Sequence, residues 1–384
     1  MTDVWLDGSQ VASRLGVKPQ TLYAYVSRGR IEARPDPSDP RRSLYSADDV
    51  SRLLERKSLG RKPADVARGA ISWGEPVLAS AITDVAGGRL YYRGADAAAL
   101  ARTQTLEQVA LRLWGCEDPE IFAREPGPKL RMKGSAQARA FAALAFRAGT
   151  EAPALGRSSA ALWREGAALM ADLAGALGEG VEPGPLHLVL GNAWGLGARE
   201  AELVRRALVL LADHELNAST FAARVAASTG ASLSASVLAG LAALSGPRHG
   251  GVAALISALI EEAGRDGPEA AVKAFIARGV PPPGFGQRPY PAGDPRAKAL
   301  LAAFRPSPEL IELGMAGEAL TGQKANIDFA LAALTRTIGL PPDAPVALFA
   351  LGRSTGWIAH AIEQLETGAL IRPRARYVGP PPEV

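Results

Sequence analysis

Two histidines, one carboxylate and several arginines are the residues of this sequence whose types and surroundings could do chemistry. His214 sits in Asp213-His214-Glu215-Leu216-Asn217-Ala218-Ser219-Thr220-Phe221, after an amphipathic helical stretch, and six of these nine residues are polar. So many polar groups in a row need partners, which suits a site more than a core. His249 lies in Ser245-Gly246-Pro247-Arg248-His249-Gly250-Gly251, where glycines on both sides let the backbone approach a ligand closely. Gly284-Phe285-Gly286-Gln287-Arg288 opens a loop that ends in Asp294-Pro295-Arg296-Ala297. Lys324-Ala325-Asn326-Ile327-Asp328-Phe329 puts a carboxylate at the head of an apolar helix, Arg353 precedes another helix, and Arg372-Pro373-Arg374 follows. Arginine forks bind carboxylates bidentately. A histidine with an aspartate can do acid–base chemistry. The sequence has no metal-ligand spacing, no phosphate-binding P-loop and no Gly-x-Ser-x-Gly elbow. The residues alone read as acid–base chemistry on a substrate with several carboxylates.

The elements that must position them are helical. The chain has 384 residues, enough for two or three folding units. Ala and Leu dominate and aromatics are 6%, which favours helices. Strand-like alternation is scarce, apart from a hairpin expected around Gly87-Gly88. Cys116 is the only cysteine, so no intrachain disulfide can form. No apolar run reaches membrane-spanning length, and Met1-Thr2-Asp3-Val4-Trp5 begins no targeting segment, so a soluble cytoplasmic protein with no membrane partner is expected. His360, His187 and Trp357 are expected to be structural.

The net charge of +4 is localised: residues 1–68 hold 13 Lys+Arg against 9 Asp+Glu. A local basic surplus suits a polyanion. Residues 8–30 read as two short helices around Gly16-Val17, with apolar stripes Val11, Ala12, Leu15 and Leu22, Tyr25, Val26, and Gly29 as a C-terminal stop. The Pro-rich stretch 34–42 cannot be helical. Ser46 and Asp49 look like a capping box for a third helix running to about Lys57. Residues 58–71 read as a linker. Val11-Ala12-Ser13-Arg14-Leu15-Gly16-Val17, Thr21-Leu22-Tyr23, Gly29, Arg42 and Tyr45-Ser46 together resemble the winged helix-turn-helix module of the MerR and excisionase families. The resemblance implies a second helix in the major groove, with Lys18, Gln20, Tyr23, Arg28 and Arg30 facing DNA and Arg34, Arg41 and Arg42 on phosphate.

The motifs around His214, His249, Gln287, Arg296, Asp328, Arg353 and Arg372, in that order, resemble citrate synthase over residues 72–379. Ala81-Ile82-Thr83-Asp84 and Leu90-Tyr91-Tyr92-Arg93-Gly94 resemble that family's opening. A helix-turn-helix module ahead of such a body resembles the helix-turn-helix citrate synthase subgroup. The implied fold is all-α, with a large domain over 72–251 and 349–384, a small domain over 252–348, and the small winged helix-turn-helix module over 1–57. The implied reaction condenses acetyl-CoA with oxaloacetate, needs no cofactor or metal, and takes place in a homodimer.

The resemblance assigns Asp328 as the base for the methyl proton and His249 as hydrogen-bond donor to the thioester oxygen. His214, Arg296 and Arg353 would bind oxaloacetate, and Arg372 would reach the partner's site. Gly284, Phe285 and Gly286 would lie against CoA, and Lys324 near a CoA phosphate. Gln287 stands where the family usually has a histidine that donates to the oxaloacetate carbonyl. A Gln amide still donates but carries no proton to deliver. Arg248, Ala253 and Pro289 are further departures. The implied alternatives are a 2-methylcitrate synthase using propionyl-CoA and a DNA-binding, metabolite-sensing regulator with a degenerate synthase body.

Overall fold

The computed structural model describes residues 5–17, 19–27, 30–36, 39–58, 78–123, 132–179, 184–375 and 377–380. The linker expected over 58–71 falls outside them except for Ser58, as do Lys18, Arg28 and Gly29. The chain divides into two compact units, Met1–Ala79 and Ser80–Val384.

The first unit runs β1 (Trp5–Asp7), α1 (Gly8–Leu15), α2 (Pro19–Ser27), β2 (Ala33–Asp36), β3 (Asp39–Ser46) and α3 (Ala47–Ser58). Asp7 and Gln10 form a reciprocal cap: Asp7 Oδ1 accepts from Gln10 N at 2.8 Å and Gln10 Oε1 from Asp7 N at 3.1 Å. Gly16 ends α1 at φ 60°, in the left-handed region that glycine adopts without cost. The Pro-rich stretch enters an antiparallel sheet of order β1-β3-β2, so the wing is a three-stranded sheet. β1 had no signal, because three residues are too few to show alternation. Of the capping box expected at Ser46, the Ser46 Oγ accepts from Asp49 N at 3.4 Å, and the Asp49 carboxylate accepts from Glu32 N at 2.9 Å. The core is Val11, Leu15, Leu22, Ile31, Tyr45, Val50 and Leu53.

The second unit opens with β4 (Thr83–Ala86), β5 (Arg89–Tyr92) and β6 (Ala95–Asp96). Gly87 (φ 57°) and Gly88 (φ 72°) supply the two positive φ values of a type I′ hairpin turn. Helices follow: α4 (Ala97–Thr103), α5 (Leu106–Trp114), α6 (Ala136–Thr150), α7 (Ser159–Leu177), α8 (Leu186–Ala193), α9 (Ala198–Leu211), α10 (Ala218–Ser228), α11 (Leu233–Leu244), α12 (Ala253–Asp266), α13 (Pro268–Ala277), α14 (Pro295–Leu301), α15 (Pro308–Thr321), α16 (Ile327–Ile338) and α17 (Ala344–Thr367). The fold is mostly helical, as the composition implies.

Arg353 does not precede a helix; it lies in the middle of the 24-residue α17. The misreading came from Gly352 and Gly356, which look like breakers. Both are packing glycines: a Cβ at Gly352 would meet Leu211 Cβ at 2.9 Å, and one at Gly356 would meet Asp213 Oδ1 at 2.2 Å. His187 is buried on α8, and Trp357 is fully buried in the main core.

That core gathers α4 to α11 around α17. A second, smaller core is built from Leu259, Val272, Phe275, Phe285, Leu310, Leu313 and Phe329. α16 serves both. Ile327, Ala330, Leu331 and Leu334 face the main core, and Phe329 and Ala333 face the small one. Helical periodicity puts these sets on two sides of α16. Asp328 begins the helix at the seam between the two cores.

Candidate active site

The site begins where α9 ends. Asp213 is fully buried and its carboxylate accepts from His360 Nε2 at 3.3 Å. His360 Nδ1 faces the Arg224 guanidinium at 3.3 Å, which can only donate, so the imidazole proton is assigned to Nε2. Arg224 also reaches Gln364 Oε1 at 3.0 Å and Glu363 Oε2 at 2.5 Å. Burial pushes the Asp213 carboxyl up, but His360 and Arg353 more than offset it and hold it below the usual range. Glu215 turns the chain at φ 56°, with its N–H on Asp213 Oδ2 at 3.2 Å. A non-glycine residue there is uncommon and is held by its surroundings. Asn217 then caps α10, its Oδ1 accepting from Ser219 N at 3.0 Å and Thr220 N at 3.1 Å. These contacts fix His214.

His214 Nε2 lies 3.0 Å from the Tyr290 hydroxyl, and the rings meet at 5.6 Å. Burial, then the charges of Arg296, Arg353 and His249, push His214 well below its ordinary pKa, so it is neutral. Burial also pushes the Tyr290 phenol up to about 12, so it keeps its proton. The Arg296 guanidinium sits 5.7 Å from the Tyr290 ring. Asp294 caps α14 and holds that guanidinium in a fork, Oδ1 to Nε at 3.0 Å and Oδ2 to Nη2 at 2.8 Å. Burial would lower the Arg296 pKa, but Asp294 more than offsets it, and the residue is firmly charged. Asp294 Oδ2 also accepts from Ile327 N at 3.1 Å, which ties the start of α16 to the arginine.

Arg353 is 2% exposed and donates Nε to the Leu211 carbonyl at 2.9 Å. Among the described residues it forms no ion pair. Burial lowers its pKa, the Asp213 charge opposes that and the Arg296 charge adds to it. A buried guanidinium with no ion pair could take an incoming carboxylate.

His249 Nε2 is 2.9 Å from Ser219 Oγ. Burial, then Arg353, push its pKa down to about 4, so it is neutral at pH 7. Asp328 is pushed up to about 6 by burial, against the pull of Arg296 and Arg353. It does not cap its helix. Asn326 does, with Oδ1 accepting from Asp328 N at 3.0 Å and Phe329 N at 3.3 Å. A carboxylate in the first turn, half-buried and unused by the cap, is available for chemistry. The charge of Arg353 acts on His214, His249, Tyr290 and Asp328 alike, so the structure brings these residues into one cluster.

Gln287 is half-buried in the same loop as Tyr290, whose N–H donates to the Gln287 carbonyl at 2.8 Å. The Gly284–Gly286 segment is pinned to the start of α16: Gly286 N donates to the Lys324 carbonyl at 2.8 Å and Asn326 N to the Gly284 carbonyl at 2.9 Å. Phe285 itself is buried in the small core against Phe329, at 5.4 Å, so only backbone from this segment is open to a ligand. Lys324 is exposed and paired with Glu318 at 2.5 Å. Arg372 is exposed. Sequence reading missed Tyr290, Asp294, Ser219 and Asp213 as members of the site. Asp213, Tyr290 and Asp294 carried a signal, since each lies within three residues of a candidate.

Residues 186–374 match the family described as citrate synthase, C-terminal domain, and residues 5–58 match the helix-turn-helix domain family. Citrate synthase 2 of Bacillus subtilis is 38% identical over 192 residues, which are 47% of this chain and 52% of that protein. The chain thus spans about half the length of the curated relatives it matches. Among solved structures, citrate synthase from Pyrobaculum aerophilum superposes with a TM-score of 0.68 at 28% identity, over 83% of this chain and 94% of that one. A ternary complex of carboxymethyl coenzyme A and oxaloacetate with citrate synthase from Thermoplasma acidophilum superposes with a TM-score of 0.65 at 26% identity, over 80% of this chain and 95% of that one.

Proposed function

We propose that this chain, a citrate synthase C-terminal domain carried behind a helix-turn-helix domain, condenses acetyl-CoA with oxaloacetate and hydrolyses the product to citrate and CoA. The observation that carries this reading is the convergence of Arg296 and Arg353 on the cluster that holds Asp328 and His249. The Thermoplasma protein's complex with a coenzyme A analogue and oxaloacetate supports the choice of substrates.

A thioester methyl proton is a weak acid, so its removal needs a base and a stabilised oxygen at once. Asp328 takes the proton. His249 donates to the thioester oxygen as charge develops there. The Ser219 hydroxyl lies 2.7 Å from Asn217 Oδ1 and 2.9 Å from His249 Nε2; for His249 to donate from Nδ1, that hydroxyl must turn its hydrogen from Asn217 to Nε2. The enol carbon then bonds to the keto carbon of oxaloacetate, and the carbonyl electron pair moves to its oxygen. Gln287 donates a hydrogen bond there, and a proton from solvent completes the hydroxyl. Arg296, Arg353 and His214 hold the two carboxylates. Water attacks the thioester carbon and the CoA thiolate leaves.

The small domain would span 252–348 around the second core, and the large domain 72–251 and 349–384. CoA would lie along the Gly284–Gly286 backbone and near Lys324. Arg372 would complete the site of a second copy in a homodimer. No helix among the described residues is long and apolar enough to cross a membrane, and the reaction belongs to the cytoplasm. Free-thiol release from acetyl-CoA in the presence of oxaloacetate tests the reading. Release that depends on both substrates is expected; no release above the rate with acetyl-CoA alone would overturn it.

The helix-turn-helix domain supports a second activity, binding to duplex DNA. Gln20 and Tyr23 are exposed on α2, Tyr23 at 67%, and Arg30, Arg34 and Arg42 are exposed beyond it. Arg34 is held by its guanidinium 4.0 Å over the Trp5 ring, and Arg42 lies 3.4 Å from Asp39. The Arg41 backbone belongs to β3. Lys18 and Arg28 remain sequence expectations. Mobility shift of a duplex by the full chain should weaken at least tenfold from 50 to about 200 mM salt, as release of several counterions requires. A full chain that shifts no duplex at the lower salt would remove this activity.

A further inference from the structure

A cavity of about 150 Å³ opens beside Asp328. Its wall includes Asp328, Leu331 and Ala332 of α16, Ala253 of α12, and Val346 and Phe349 of α17. Asp328, Leu331 and Ala332 stand at i, i+3 and i+4, so they share one face of α16. Thr335, the next polar residue on that face, turns its hydroxyl back onto the Leu331 carbonyl at 2.8 Å. Most of the wall is therefore apolar or small, and two alanines keep the space open. Glu261 and Arg336, paired at 3.5 Å, add charge to the rim where they are exposed.

The position of the cavity matters because of the chemistry. The carbon that Asp328 deprotonates is the carbon that bears any alkyl group beyond acetyl. A longer acyl chain must therefore depart from the point that the Asp328 carboxylate reaches. A cavity of roughly 150 Å³ is large enough to take a group the size of a benzene ring. Resting on the condensation reading above, we infer that the thioesters this chain accepts extend to straight acyl groups of about four to six carbons, with the alkyl tail lying in this cavity. The bond changes are those of the acetyl reaction: one α C–H proton goes to Asp328, one C–C bond forms, and water releases the CoA thiolate. The product carries the alkyl group on the new carbon.

The test compares acetyl-, butyryl- and hexanoyl-CoA, each with oxaloacetate, in the wild type and in Ala332→Leu and Ala253→Leu. Thiol release gives kcat/KM ratios. Equilibrium binding of the same thioesters to Asp328→Asn, in which the ligand is not consumed, gives affinity ratios. Thermal melts confirm that each variant folds, and the half-exposed Ala253 serves if Ala332→Leu does not. Butyryl-CoA should bind more tightly than acetyl-CoA by roughly fourfold per methylene. Its kcat/KM should stay within about tenfold of the acetyl value, since added methylenes in a matched apolar pocket are not penalised. In a folded filling variant the butyryl-to-acetyl ratio should fall about tenfold or more. Equal binding of the thioesters, or ratios that both variants leave unmoved, would overturn the inference. Turnover of acetyl-CoA with butyryl-CoA slower by much more than about tenfold would sink this inference alone. No turnover of any thioester would sink the condensation reading, and the binding ratios would still decide whether the cavity holds an acyl tail.

Discussion

Asp328→Asn should reduce thiol release from acetyl-CoA and oxaloacetate by about 10²–10⁴-fold, the usual worth of a positioned general base. The change is nearly isosteric and removes only the ability to take a proton. It should leave the fold intact, because Asn326 caps α16 and the Asp328 side chain has no part in that cap. A thermal midpoint unchanged within about 3 °C, the scale of a sub-kilocalorie effect in a chain of this size, would separate chemistry from stability. The pH profile provides an independent check. Burial holds the Asp328 carboxyl near 6, and the base works only when ionised. Activity should therefore be full at pH 8, half-maximal near pH 6, and fall about tenfold for each further unit of acid. His249, pushed down to about 4, stays neutral through that window and adds no second limb above pH 5. A variant that keeps a third of wild-type turnover, or a profile flat from pH 8 to 5, would mean that another group takes the proton.

Much of this arrangement was legible in the residues. His214, His249, Arg296, Asp328 and Arg353 were each singled out by residue type and neighbours, and in the structure the charge of Arg353 is felt at His214, His249 and Asp328 and that of Arg296 at Arg353. Their supports were less legible, because those contacts join distant segments. Nothing local shows that Asp294 grips Arg296 on one side and the Ile327 N–H on the other. Nor does local sequence reveal that His360 and Arg224, 136 positions apart, hold the Asp213 carboxylate beside His214. Arg353 was misplaced for a related reason. Gly352 and Gly356 break helices by propensity, but here they let α17 press against the end of α9, and packing overrode propensity. Phe285 shows the reverse error: a motif position expected to meet a ligand sends its side chain into a core that could not be seen without the fold.

Gln287→His should raise turnover by about 10- to 100-fold, a fraction of the 10²–10³ that one oxyanion donor can supply. When the new carbon–carbon bond forms, the keto oxygen of oxaloacetate takes on a full charge. A glutamine amide can donate one hydrogen bond to it but cannot hand over a proton, whereas an imidazole can do both. The turn should survive the exchange, because Gln287 uses its carbonyl to accept from Tyr290 N at 2.8 Å, and that contact is backbone on both sides. His214, on the Tyr290 hydroxyl three residues along the same loop, is already held neutral by burial and then by the charges of Arg296, Arg353 and His249. A neutral histidine is the form that donates without repelling those arginines. Gln287→Leu completes the comparison, with an expected loss of about 10²–10³ if the amide is the working donor. Three variants then separate the physical possibilities. A rise with His and a loss with Leu would mean a synthase held below its capacity by one side chain. A loss with both would mean that the amide is already well placed. No effect of either would move the donor to another group, with the Tyr290 hydroxyl, 3.0 Å from His214, as the next to test. A wild type silent with every thioester but active as Gln287→His would leave an intact binding site for oxaloacetate without turnover, and would turn attention to the helix-turn-helix domain as the part that uses that binding.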